Sequence, residues 1–337
     1  MIRCCWALVT LLAAASARAE VYELPPEGYD VVGALSGVTA RYEDTLVDIA
    51  RRHGLGYQDI VRANPDVNVW LPGAGTEVVL PTRFVLPPGP RKGLVLNLAE
   101  YRMYYYLDAK DGEPAYVYTY PMSIGRMDWE TPLGRTTITA MATNPAWYPP
   151  QSVRDEHAAD GDPLPRVVPP GPKNPLGTRA MRLGIPGYLI HGTNKPAGVG
   201  MRVSHGCVRM FPEDIEFLFR HIRVDTPVRI INAPVKIGWD GEVLVAEIHP
   251  LLETPQPLVE QSLQHVEEMD ADIEVPEVVT PSKEPLTQVT EQFITATSER
   301  AGQLDWDLVE RLVERSNGIP EPVGQSIKNA AASAASQ

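Results

Sequence analysis

The sequence predicts a mainly β domain of about 140 residues over 93–232, with a small strand–helix–helix–strand unit before it and a partly helical extension after it. Two observations carry the central domain. Runs rich in Val, Ile, Thr and Tyr, broken by turn residues such as Asp111-Gly112, fill Gly93–Leu98, Tyr101–Leu107, Ala115–Ile124 and Arg135–Thr143. Only one clear helical pattern follows, Pro212–His221, with proline in its first turn and Ile215, Leu218, Phe219 and Ile222 at helical spacing. A third observation concerns the connections: 33 prolines in 337 residues is about twice ordinary usage, so long loops or linkers should separate the folded parts.

The elements follow in order. Met1-Ile2-Arg3 is a short positive start, Trp6 to Ala15 is mostly apolar, and Ala17-Arg18-Ala19 fits a small-residue cleavage site. Residues 1–19 therefore read as a signal peptide, too short in its apolar part to anchor the chain, with Glu20 as the mature start. Residues 37–83 form the small unit: a strand at Gly37–Arg41, a helix at Thr45–His53 ended by Gly54, a helix at Tyr57–Ala63 stopped by Asn64-Pro65, and a strand at Glu77–Leu80. Residues 84–92 read as a Pro-rich linker. Beyond the β domain, Pro227–Ile231 being its last strand, Val235–Trp239 and Glu242–Ile248 form a hairpin with an expected type I′ turn at Asp240-Gly241. Amphipathic patterns around Leu258–Glu268, Leu286–Arg300 and Leu304–Ser316 predict short helices within an extension over 233–316. Residues 317–337, ending in the low-complexity stretch Ala330–Gln337, are expected to be disordered.

Charge is uneven. The whole chain carries −13, and from Leu251 onward there are 16 Asp/Glu against 5 Lys/Arg. The acidity belongs mainly to the C-terminal part, and no basic patch points to nucleic acid. No apolar run is long enough to span a bilayer. Export changes the cysteine arithmetic, because Cys4 and Cys5 leave with the signal peptide and only Cys207 remains. A single thiol in an oxidising compartment cannot close an internal disulfide, so it is intermolecular, buried and inert, or reactive.

Its surroundings favour reactivity. His191-Gly192-Thr193 and Ser204-His205-Gly206-Cys207-Val208-Arg209 bring that thiol and two histidines within 17 residues. A thiol nucleophile needs an imidazole to take its proton and return it to a leaving amine, and an adjacent imidazolium is expected to raise the thiolate fraction. The backbone N–H groups of Gly206 and Cys207 are expected to stabilise an oxyanion. Zinc held by His191, His205 and Cys207 is the competing reading, but no fourth ligand is evident and His-x-Cys is not a usual spacing. A buried, structural cysteine beside incidental histidines is the other.

The string IHGTNKPAGVGMRVSHGCVRM, residues 190–210, resembles the signature of the L,D-transpeptidase catalytic domain, the YkuD-like fold, whose core is a His followed by Ser/Thr-His-Gly-Cys. The segments SIGRMDWETPLGRTTIT and NPLGTRAMRLG upstream also fit. The phrases DTLVDIARRHGL, IVRANP and LPGAGTEVVLP make 37–83 similar to a LysM module, which binds N-acetylglucosamine-containing glycans between the loops after its first strand and before its last. Together with the hairpin VKIGWDGEVLVAEIH, this arrangement resembles the proteobacterial periplasmic members. The resemblance implies a β-sandwich or barrel with one main helix, a periplasmic location, and peptidoglycan strands and stem peptides as partners. It implies Cys207 as nucleophile and His191 as base, with Gly192 or Thr193 supplying the carbonyl that orients the His191 ring. Ser204 and His205 would shape the pocket, and Arg209 would fix the loop or a substrate carboxylate.

The implied reaction is acyl transfer without metal or organic cofactor. Cys207 attacks the meso-diaminopimelate carbonyl of a tetrapeptide stem, D-alanine leaves, and an amine resolves the thioester. That amine belongs to another stem, to an outer-membrane lipoprotein or to a free D-amino acid. The alternatives are hydrolysis of the same thioester, as an L,D-carboxypeptidase or cross-link hydrolase, and a non-catalytic peptidoglycan-binding scaffold. Finally, Asn144–Gly177 is a mostly irregular segment with nine prolines between two blocks of the resemblance, so it is expected to fold against the cleft as a cover.

Overall fold

The structure, a computed structural model, describes residues 20–109, 113–127, 129–252 and 284–328. The expected signal peptide and the helical pattern around Leu258–Glu268 lie outside the described residues, as does the Asp111-Gly112 turn. Among the described residues, no helix is long and apolar enough to cross a membrane.

A nine-stranded sheet forms the middle of the molecule. Its order is Glu20–Glu23, Tyr116–Pro121, Arg102–Leu107, Gly93–Asn97, Pro227–Ile231, Gly134–Thr143, Arg179–Leu183, Leu189–His191 and Val208–Arg209. Neighbours are antiparallel except at two places, where Gly93–Asn97 meets Pro227–Ile231 and where Leu189–His191 meets Val208–Arg209. The side-chain period of two assigns alternate residues to opposite faces. Leu94, Leu96, Met103 and Tyr105 enter one core, together with Ile215, Leu218 and Ile222 of the helix Pro212–His221 and its following residue. Val95, Tyr104, Tyr106 and Val117 enter a second core on the other face. Burial on both faces explains why these strands read as unbroken apolar runs.

The second core is shared with the N-terminal unit. Ser36–Thr39 pairs antiparallel with Glu77–Leu80, and the helices Leu46–Arg52 and Tyr57–Ala63 lie between them in sequence. Thr45 caps the first helix, its hydroxyl taking the Asp48 N–H at 3.1 Å while the Asp48 carboxylate returns to Thr45. Leu46, Ile49, Leu55 and Ile60 then pack against Val95, Tyr104 and Tyr106. Arg102, 1% exposed, reaches from the central sheet to Asp59 at 2.5 Å and lies over the Phe84 ring at 4.3 Å. Removing one partner of such a buried pair costs about 3–5 kcal/mol. The Pro-rich linker expected over 84–92 is therefore corrected at its start. Phe84, Val85 and Leu86 are buried, and Arg83–Val85 pairs with Val31–Gly33, because the two units meet through a common apolar face rather than across a spacer.

The C-terminal part forms its own sheet, ordered Val235–Asp240, Val243–Ile248, Glu321–Ser326, Gly302–Leu304. The helices Pro285–Ala296 and Trp306–Arg315 bury Val289, Val309 and Leu312 against it. Two expectations fail here. Residues 317–337 are not uniformly disordered, since Glu321–Ser326 is a strand paired on both sides. The hairpin loop is Gly241-Glu242, with a positive φ of 59° at Gly241 alone, the sign pattern of a type II′ turn rather than type I′. Where this sheet meets the rest, Lys236 is fully buried between Glu100 and Glu247, 2.8 Å from the latter, and His249 lies 2.7 Å from Glu247. Glu100, Glu247 and His249 are spaced as metal ligands, but the Lys236 ammonium already supplies their countercharge.

Candidate active site

Loop and strand geometry bring the predicted residues to one cleft of about 1390 Å³, lined by His191, Ser204, His205, Cys207 and Arg209 among others. His191 ends the strand Leu189–His191, and Val208–Arg209 lies parallel beside it, with Ile190 opposite Val208 and His191 opposite Arg209. That pairing places Cys207 one residue before the shared ladder. The Met210 N–H continues it onto the His191 carbonyl at 2.9 Å. Apolar Ile190 and Val208 are buried beneath, so the two polar neighbours face the cleft by the alternation of the strand.

The His191 ring is oriented by its own chain. Nδ1 lies 2.6 Å from the Gly192 carbonyl, and a carbonyl only accepts, so Nδ1 carries the proton and Nε2 holds a free lone pair. Of the two carbonyls considered from the sequence, Gly192 makes this contact. Thr193 instead accepts the Lys195 N–H on its hydroxyl at 2.9 Å. Burial, helped by the positive charge of Arg209, pushes the His191 ring down to about 4. Burial also pushes the Cys207 thiol up, against a hydrogen bond from the Leu189 backbone and the charge of Arg209. The sequence-based expectation of an imidazolium raising the thiolate fraction is thus reversed: near neutral pH, desolvation favours the uncharged form of both groups.

The loop before Cys207 is tightly shaped. Gly206 has φ of +92°, and a Cβ there would come within 2.7 Å of the Tyr188 ring, so glycine is required on both counts. The Gly206 carbonyl accepts the Thr131 hydroxyl at 2.8 Å, and that hydroxyl accepts the Gly125 N–H at 3.0 Å. The Ser204 hydroxyl bonds the Cys207 carbonyl. Among the described residues, the N–H groups of Gly206 and Cys207 have no acceptor. Among the described residues, the half-buried Arg209 guanidinium likewise leaves its Nε without a partner. Thr131, which lies in the SIGRMDWETPLGRTTIT stretch and has no marked chemistry in the sequence, is the residue that fixes the Gly206 carbonyl.

His205 faces outward from this loop. Its Nε2 lies 2.9 Å from Glu156, whose other oxygen accepts from Arg126 at 2.7 Å, and the Trp129 ring meets it edge-on at 5.2 Å. Glu156 belongs to a helix, Gln151–Ala159, inside the segment expected to be mostly irregular. Sequence reading missed this helix because Val153 is its only buried apolar residue, so no amphipathic period marks it. The segment does lie against the cleft. Trp147 pairs with Val168, and Asn174, fully buried, ties Pro145, Val168 and Pro169 together through its amide.

Residues 91–230 match the family model described as the YkuD L,D-transpeptidase catalytic domain. The Escherichia coli (strain K12) protein named "Probable L,D-transpeptidase YcfS" is 40% identical over 244 residues, covering 70% of this chain and 75% of that protein. The Salmonella typhimurium (strain LT2) protein "Probable L,D-transpeptidase ErfK/SrfK" is 36% identical over 304 residues, or 89% of each. Among solved structures, L,D-transpeptidase 3 from Mycobacterium tuberculosis aligns with a TM-score of 0.31 at 19% identity, covering 46% of this chain and 67% of that one. With a matched catalytic domain and identity of 36–40% across most of the full-length relatives, the chain belongs to the YkuD-type L,D-transpeptidase family.

Proposed function

We propose that the cleft performs cysteine-dependent acyl transfer on peptidoglycan stem peptides. Cys207 Sγ attacks the carbonyl of meso-diaminopimelate in a tetrapeptide stem, and His191 Nε2 takes the thiol proton as the S–C bond forms. The proton then passes to the departing nitrogen, D-alanine leaves, and a thioester remains. An acceptor amine repeats the sequence in reverse, losing its proton to His191 and releasing Cys207. The observation that carries this reading is the buried His191, protonated on Nδ1 by its bond to Gly192 and lining one cleft with Cys207. Because both groups favour their neutral forms, proton transfer accompanies attack rather than preceding it. The Gly206 and Cys207 N–H groups, without acceptors, suit the developing oxyanion. Arg209 suits a substrate carboxylate.

The remaining assignments extend this reading. The enzyme works in the periplasm after export, and the unit at 37–83 holds it to glycan as a LysM module. Tyr42 and Trp70, 87% and 59% exposed, lie on the loops after the first strand and before the last of that unit, where an aromatic ring can stack on a sugar. The Leu46 N–H bonds the Val69 carbonyl at 2.8 Å, which holds those two loops at the same end. The acceptor amine is a second stem or the lysine of an outer-membrane lipoprotein. Mass analysis of stems after incubation with disaccharide-tetrapeptide tests the reading: wild type converts tetrapeptide to cross-linked or amine-exchanged product and Cys207→Ala does not. Undiminished product from Cys207→Ala would overturn it.

A further inference from the structure

The loop joining the two proposed catalytic residues, 192–206, does not stand on the catalytic domain alone. Lys195 and Gly198 line the cleft, while Val199 and Gly200 turn away and are buried. What buries them is the N-terminal unit. The Tyr57 N–H donates to the Val199 carbonyl at 3.0 Å, and the Gln58 N–H points to the Gly200 carbonyl at 3.4 Å. Tyr57 and Gln58 open the helix Tyr57–Ala63, so the loop carbonyls satisfy N–H groups that every helix start leaves unpaired. The approach is backbone on backbone: a Cβ on Gly200, whose φ is +90°, would come within 2.4 Å of the Tyr57 nitrogen, and one on Gly56 within 2.9 Å of the Gly200 Cα.

Two further ties hold the same junction. Arg51 of the N-terminal unit forms a bidentate pair with Glu213 at 2.7 and 2.9 Å. Glu213 lies in the first turn of the helix that follows Met210. On the catalytic side, the Ser123 hydroxyl donates to the Gly198 carbonyl at 2.7 Å, and the Ile124 N–H to the Met201 carbonyl at 3.1 Å. The loop is therefore clamped at its middle between two units, with His191 at one end and Cys207 at the other.

We propose that the N-terminal unit is a positioning element of the active site, acting through the Tyr57–Val199 and Arg51–Glu213 contacts, in addition to any glycan it holds. This rests on the proposed roles of Cys207 and His191. The unit sets the path of the 192–206 loop and thereby the placement of cleft groups against the donor stem. Turnover of a soluble stem that carries no sugar then depends on the junction, which a tethered binding module alone would not require.

The test uses the full chain and a sugar-free tetrapeptide, reading D-alanine release with an amine acceptor. Tyr57 is the first helical residue, where proline is tolerated, and Gly56 before it is extended at φ −89° and ψ 172°, as a residue before proline must be. Tyr57→Pro removes the N–H and sets a ring carbon against the Val199 carbonyl, while Tyr57→Ala removes the same side chain and keeps the N–H. The expected result is a kcat about tenfold lower in Tyr57→Pro than in Tyr57→Ala, with KM within about twofold and sedimentation with sacculi alike, because small displacements of cleft groups cost rate rather than binding. The second arm is the surface pair: Arg51→Glu and Glu213→Arg should each lower kcat, and the exchange of both should restore it. Equal kcat in the two Tyr57 variants, or single charge reversals with wild-type kcat, would overturn the proposal. An inert wild type would overturn the proposed function as well, so the two failures are told apart.

Discussion

Acidification should expose the buried, neutral state of His191. In the native protein the ring is held down to about 4, whereas in the unfolded chain it titrates near 6.5. The gap corresponds to about 3 kcal/mol between charged and neutral ring. Since the folded value is the lower one, the unfolded chain binds more protons below pH 6.5, and stability falls as pH drops from there toward 4. Between about pH 7 and pH 5, the unfolded ring charges and the native ring does not, which costs about 2 kcal/mol of stability. His191→Asn retains an amide donor for the Gly192 carbonyl and does not titrate. Urea unfolding followed by circular dichroism, for both proteins at both pH values, isolates this contribution, because the other titrating groups, His249 among them, cancel in the difference. Wild type should lose about 2 kcal/mol more than His191→Asn over this interval. Equal losses would refute the argument that desolvation keeps the ring neutral.

Three further outcomes follow from the site. Alkylation of Cys207 by iodoacetamide should rise about tenfold per pH unit from about pH 6 to pH 8 with no plateau, since burial raises the thiol; a plateau below pH 7 would indicate a preformed thiolate. Glu156→Gln removes the charge that joins Arg126 and His205 and should shift product from cross-link toward hydrolysed tripeptide, as the helix Gln151–Ala159 loosens over the cleft; an unchanged product ratio counts against a covering role. Replacing Tyr42 and Trp70 together by alanine should reduce sedimentation with intact sacculi and leave D-alanine release from a sugar-free stem at its wild-type rate, and undiminished sedimentation would remove the glycan role from these loops.

The legible parts of this protein are those where local chemistry and local structure agree. The run from Ser204 to Arg209 announces itself because a thiol, an imidazole and a glycine stand together, and the central strands announce themselves by β-branched and aromatic residues. What escaped reading depends on contacts distant in sequence. The helix carrying Glu156 is polar around nearly its whole surface, and its value to the site comes from His205, 49 positions later. Phe84, Val85 and Leu86 sit among prolines, so their composition reads as spacer while their burial against the central sheet does not show. Glu321–Ser326 carries Glu, Pro, Gly, Gln and Ser, and only pairing on both sides makes it a strand. The direction of the His191 and Cys207 shifts comes from desolvation, which no spacing of residues reveals.

The placement of that last strand bears on how the chain is completed. Glu321–Ser326 lies between Val243–Ile248 and Gly302–Leu304, and the latter has no other neighbour in its sheet. A chain stopped at Ser316 would lose one strand directly and strand its partner, leaving the Val243–Ile248 edge with unpaired backbone groups open to another chain. Val243–Ile248 also carries Glu247, which holds Lys236 beside Glu100 of the catalytic domain. Closure of the distal sheet therefore waits for a strand far along the chain from its partner: a chain ending before Glu321 presents an open edge, and one that includes Ser326 hides it.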